Sequence, residues 1–195
     1  MCKSRSLIKD IMNSFPFDEA RATQAAAWLL AKTEGGRMTV VKLSKLLYLV
    51  ERKALERWGR PMIGGAYASM AHGPVISPVV DAMKPAGGRP PLPEWDHFLA
   101  RKGNDIVLTD DPGSGRLHKA AINLLDEVFE SFRWDNTWEV RDHTHTLPEY
   151  TDPGDSSLPI PLKKVLKVLQ KPSGEIETVL QDANHLSEVA ELTGC

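Results

Sequence analysis

The residues best suited to chemistry gather early in the last third, where His143-Thr144-His145 stands beside Asp142, with Asp152 and Asp155 shortly after. Zinc takes His and carboxylate ligands in tetrahedral sites, so an H-x-H pair with nearby acids raises the case of a metal-dependent hydrolase using His143 and His145. On a helix, however, residues i and i+2 point about 200° apart. The pair can share a metal only on extended backbone, and no third ligand follows at a recognised spacing. Histidines that hydrogen-bond and order a loop are the better expectation. His72-Gly73-Pro74 presents a second choice, a catalytic His beside a free-turning Gly or a simple chain reversal. The reversal is favoured: Gly73 supplies backbone freedom, Pro74 sets the exit, and His72 holds a backbone carbonyl. No Ser or Cys lies in a nucleophile context, and Cys2 and Cys195 sit at the two ends. Gly64-Gly65, Gly87-Gly88 and Gly113-Ser114-Gly115 match no phosphate-binding loop. Catalytic residues, metal ligands and cofactors are therefore all expected to be none.

Composition narrows the field further. A net charge of -2 gives no global attraction to nucleic acid or to an anionic membrane. Arg52, Lys53, Arg57 and Arg60 form a local basic patch near Trp58, which Glu51 and Glu56 are expected to cancel. No apolar run reaches the ~18 residues of a membrane span. The first ten residues lack the apolar core of a secretory signal. Two terminal cysteines suit a reducing cytoplasm.

The elements that must position these residues are mostly helical. Asp18 can cap a helix to Lys32, whose inner face of Ala22, Ala25, Ala26 and Leu29 admits a close neighbour. Thr39 can cap a second helix to Trp58, with Gly59 as its left-handed stop. In it, Leu46, Leu47, Tyr48, Leu49 and Val50 cover every side of a turn, the mark of a helix inside a domain. Charges return from Glu51, so its first three turns are expected to be the buried part. Ala66–Met70 reads as extended, Ser77-Pro78 as a helix start, and Pro85–Pro93 as a loop. Trp95–Ala100 and Asp105–Thr109 flank Lys102-Gly103-Asn104 as a β-hairpin. Leu117, Ala121, Leu124, Leu125, Val128 and Phe132 follow the helical period. Thr137 can cap a short helix through His143, Pro148–Pro161 crosses irregularly, and Leu162–Gln170 and Ser173–Leu192 are two more helices. The fold class expected is mainly α (α+β): a compact helical domain around a buried central helix, with a small β-hairpin and C-terminal helices.

Lys45-Leu46-Leu47-Tyr48-Leu49, Gly59-Arg60-Pro61, Tyr67 through His72-Gly73-Pro74-Val75, and Thr144-His145 occur in an order and spacing that resemble the Panacea domain. Its best-known members are antitoxins of bacterial and phage toxin–antitoxin pairs, SocA-like proteins among them. Met70-Ala71-His72 and Tyr150 stand where that family usually carries an aromatic before Gly-Pro-Val and a Trp after Thr-His. The resemblance implies a compact, mostly helical domain without catalytic residues, and a cognate toxin as partner. Some members block the toxin directly, and at least one type delivers it to a ClpXP-type protease. A phage accessory protein that binds a host factor through the same domain is the remaining alternative.

On this reading residues 1–17 are an N-terminal extension, 18–161 the Panacea-like domain, and 162–195 a helical extension packing on it. The partner is expected to meet Trp95, Trp134 and Trp138, which lie in or beside loops, together with Tyr150, Leu162 and Val165. Because the tail lies beyond the resemblance, the rest is expected to fold without it.

Overall fold

The computed structural model describes residues 14–85 and 87–193. Cys2, Cys195 and most of the expected N-terminal extension lie outside the described residues. Helix α1 (Glu19–Ala31) starts where Asp18 accepts a hydrogen bond from the Arg21 amide, and it buries Ala22, Ala25, Ala26 and Leu29. A short strand β1 (Arg37–Thr39) follows, and Thr39 then caps α2 (Val40–Trp58) by accepting from the Lys42 amide. Gly59 ends α2 at φ +64, a conformation that costs a residue without Cβ nothing.

Strands β2 (Tyr67–Met70) and β3 (Gly73–Ile76) form a hairpin turning at Ala71 and His72, and α3 (Ser77–Ala82) leaves directly from β3. Next come α4 (Pro93–Phe98), β4 (Leu99–Lys102) and β5 (Asp105–Leu108), then α5 (Lys119–Ser131) and α6 (Thr137–His145). Strand β6 (Leu158–Ile160), α7 (Leu162–Val168) and α8 (Ser173–Thr193) complete the order. The strands make two antiparallel sheets, β1-β5-β4 and β3-β2-β6. Strand β2 is the centre of the second, with Tyr67 opposite both Ile76 and Ile160.

Helix α2 is the axis of the molecule, in contact with α1, α3, α5, α6 and α7 and with strands of both sheets. Leu46, Leu47, Val50, Leu124, Leu125 and Val128 are all fully buried, as the two apolar patterns require. Each such side chain contributes about 1.5–3 kcal/mol by leaving water. The mainly α, α+β class holds.

Several expectations are corrected. The first run of the expected hairpin, from Trp95, is a helix up to Phe98, and only Leu99–Lys102 pairs with Asp105–Leu108. The reason is tertiary: Glu19 on α1 accepts from the amides of Glu94 and Trp95, satisfying the open end of α4. Trp95 is thereby driven into the core, 2% exposed. The buried part of α2 does not stop after three turns, since Glu51, Ala54 and Leu55 are wholly enclosed. Asn136, not Thr137, caps α6, in a capping box with Glu139. The crossing before the tail contains β6. Leu162, Val165, Leu166, Ile176, Val179 and Ala183 belong to the same continuous core as α2.

Candidate functional site

Lys45, Tyr48 and Arg52 recur at three- and four-residue steps along α2, so they share one face. That face meets the β2–β3 hairpin and the C-terminal end of α6. Lys45 is 1% exposed, and its ammonium donates to the carbonyls of Gly73 (2.9 Å) and Pro74 (3.0 Å). Burial pushes its pKa down to about 7. A charge without an acid beside it costs free energy in a low dielectric, which explains the direction. The carbonyl-holding role expected of His72 therefore falls to Lys45; His72 is exposed and edges against the Trp138 ring at 5.9 Å.

Gly73 has φ +96, and a Cβ there would lie 2.6 Å from Thr144 Oγ1 and 3.1 Å from His145 Cδ2. Thr144 is buried and donates to the Arg141 carbonyl. His145 stacks on Tyr150, with ring centroids 4.6 Å apart. Burial first, then the charges of Arg141 and Lys45, hold its imidazole below the usual range. Tyr150 donates to the Met70 carbonyl at 3.3 Å. The motif residues Lys45, Gly73, Pro74, Thr144 and His145 thus form one clasp that locks the hairpin between α2 and α6.

Two buried acids extend this clasp. Glu51 accepts from the amides of Met62, Ile63 and Gly64 at 2.7–2.8 Å and from the Tyr67 hydroxyl at 3.2 Å. Burial raises its pKa, and those four donors pull it back. Glu149 accepts from Tyr48 (3.1 Å) and Arg52 (2.7 Å). Tyr48 and Tyr67 meet edge to face at 5.9 Å between the two acids. Neither acid was foreseen as a buried group. Lys45 and Glu51 carried a signal all the same, because an ionisable side chain in a helix apolar all round must find partners inside.

The basic patch at the end of α2 and just beyond it is neutralised by acids from elsewhere in the fold. Arg52 pairs with Glu149, Lys53 and Arg57 with Glu127, and Arg60 with Asp182. The two imidazoles of the H-x-H pair diverge, as helical spacing requires: His143 faces Phe132 at 4.8 Å while His145 faces Tyr150. Among the described residues, no group of three or more His, Cys, Asp or Glu is placed to hold a metal ion.

Of the residues expected to meet a partner, Trp134 and Trp138 stand on the surface, 85% and 54% exposed. Trp134 precedes α6 and Trp138 lies in its first turn. A guanidinium covers each ring, Arg133 at 5.0 Å from Trp134 and Arg141 at 4.9 Å from Trp138. Trp95, Leu162 and Val165 cannot serve in this way because the core encloses them. Tyr150 spends its ring on His145 and its hydroxyl on Met70. Beside His72 a pocket of about 290 Å³ opens, walled by Val41, Ser44, Lys45, Met70 and Val75.

The family model described as antitoxin SocA-like, Panacea domain, matches residues 43–149, more than half of the chain. That span contains α2 from Leu43 onward, the β2–β3 hairpin and the clasp through Glu149. No curated protein and no solved structure matches the chain. No helix among the described residues is long and apolar enough to cross a membrane.

Proposed function

This chain belongs to the SocA-like antitoxin family with a Panacea domain, and from that premise we propose that it neutralises a cognate toxin by direct protein–protein contact in the cytoplasm. The observation that carries this reading is the pair of exposed tryptophans, Trp134 and Trp138, at the start of α6. Large amphipathic rings held by a rigid scaffold supply contact area at little entropic cost, and such residues dominate interface energies. Their stacked arginines hold the rings in place and offer charged donors at the rim. Lys45, Tyr48, Glu51, Arg52 and Glu149 each hold polar partners within the fold, which favours a role carried by the exposed surface.

Co-expression with the product of the neighbouring open reading frame tests this. Growth is restored, and the two proteins purify together in a defined ratio. Repeating the assay in cells lacking ClpXP separates direct blocking, in which rescue persists, from delivery to the protease, in which it is lost. A neighbouring product that is harmless alone, or that never co-purifies, removes the proposal.

A further inference from the structure

The pocket beside His72 has a chemistry of its own. Val41, Met70, Val75 and Val80 make it apolar, Lys45 forms part of its wall, and the exposed Asp155 lies at its edge. At about 290 Å³ it is at the small end of ligand cavities, the size for one residue and not for a cofactor. The Lys45 ammonium has three N–H groups, of which the Gly73 and Pro74 carbonyls take two. No ion pair among the described residues includes it, and only burial shifts its pKa, with no carboxylate close enough to raise it. An enclosed cation with one unspent donor in an apolar pocket is complementary to an apolar group that carries an anion.

We propose that this pocket binds the carboxyl-terminal residue of a polypeptide, its aliphatic side chain against Val41, Val75 and Val80 and its terminal carboxylate accepting the third N–H of Lys45. A polypeptide end is favoured over a free acid because His72, on the rim, touches Trp138, so a chain leaving the pocket meets an exposed aromatic surface at once. Only the chain end matters to the inference; it stands whether or not that end belongs to a toxin.

The test uses the whole protein and three probes: an acetylated tetrapeptide ending in leucine with a free carboxylate, the same peptide amidated, and 4-methylpentanoate. Calorimetry gives the affinities, and the side-chain carbon signal of Lys45 reports the site. The acid peptide saturates and raises the pH at which Lys45 titrates. The amidated peptide binds at least tenfold more weakly, and Lys45→Met abolishes that difference. The wild-type comparison of acid with amide stands by itself if Lys45→Met does not fold. 4-Methylpentanoate binds at least tenfold more weakly than the acid peptide. Equal affinity of the two peptides, or no saturable binding of the acid peptide, overturns the proposal. Binding of 4-methylpentanoate as tight as that of the peptide overturns the polypeptide assignment in favour of a small free acid.

Discussion

The Nζ of Lys45 lies 2.9 Å from the carbonyl oxygen of Gly73, and this bond joins the central helix to the hairpin that carries the family's Gly-Pro-Val segment. Lysine there does two opposed things. It ties the carbonyls of Gly73 and Pro74 to the central helix, and it brings an amine into a place hostile to its charge.

That conflict sets a pH dependence. The Lys45 amine loses its proton near pH 7 in the native state, against 10.5 ordinarily. Between those values the unfolded chain holds the proton and the native one does not, so raising the pH favours folding. Below 7 both states hold it and this contribution is level. Tyr48 and Tyr67, held well above 10 by burial, turn the slope the other way only once unfolded tyrosines ionise near pH 10. Unfolding free energies from urea titrations at pH 7, 8 and 9 therefore rise for the wild type relative to Lys45→Met, by at most about 1.4 kcal/mol per pH unit.

Gly73→Ala is expected to destabilise the protein by about 3 kcal/mol. The new Cβ meets Thr144 Oγ1, and the positive φ penalises any side chain. Thr144→Ala in the same chain relieves the contact but not the backbone strain, so it restores only part of the loss. Denaturant unfolding of the single and double variants measures both parts.

Glu51→Ala leaves three backbone N–H groups of the turn after α2 without an acceptor, at about 3 kcal/mol or more. Glu51→Gln keeps one acceptor oxygen and costs less. Hydrogen exchange checks the location of the damage: the amides of Met62, Ile63 and Gly64 lose protection before those of α2.

Removing everything after Pro161 strips Leu162, Val165, Leu166, Ile176, Val179 and Ala183 from the core. At about 1.5–3 kcal/mol for each larger side chain, the loss matches the ~5–15 kcal/mol that holds a domain together. Circular dichroism should show an unfolded or molten chain, whereas truncation after His185 leaves the fold intact.

Trp134→Ala and Trp138→Ala are expected to change stability by about 1 kcal/mol or less, since both rings are exposed. On the antitoxin reading each variant loses rescue and co-purification while its melting temperature barely moves. Full rescue by the double variant would exclude this surface as the contact.

What the sequence by itself determined was local and periodic. The all-round apolar turn of α2, the caps at Asp18, Thr39 and Gly59, and the helical period from Leu117 to Phe132 each follow from spacing and from neighbours a few residues away. The order of the family motifs was legible for the same reason. What only the tertiary structure decided were partnerships across long stretches of chain. Glu19 reaches α4 and turns an expected strand into a helix, Glu127, Glu149 and Asp182 quench the basic patch, and Lys45 replaces His72 at the hairpin carbonyls. The tail's place in the core was of this kind too, because an amphipathic helix looks the same whether its apolar side meets its own domain or a partner. A pattern along the chain specifies which face is apolar. Which surface covers that face, and which buried charge finds which acceptor, depends on distances between segments that spacing does not encode.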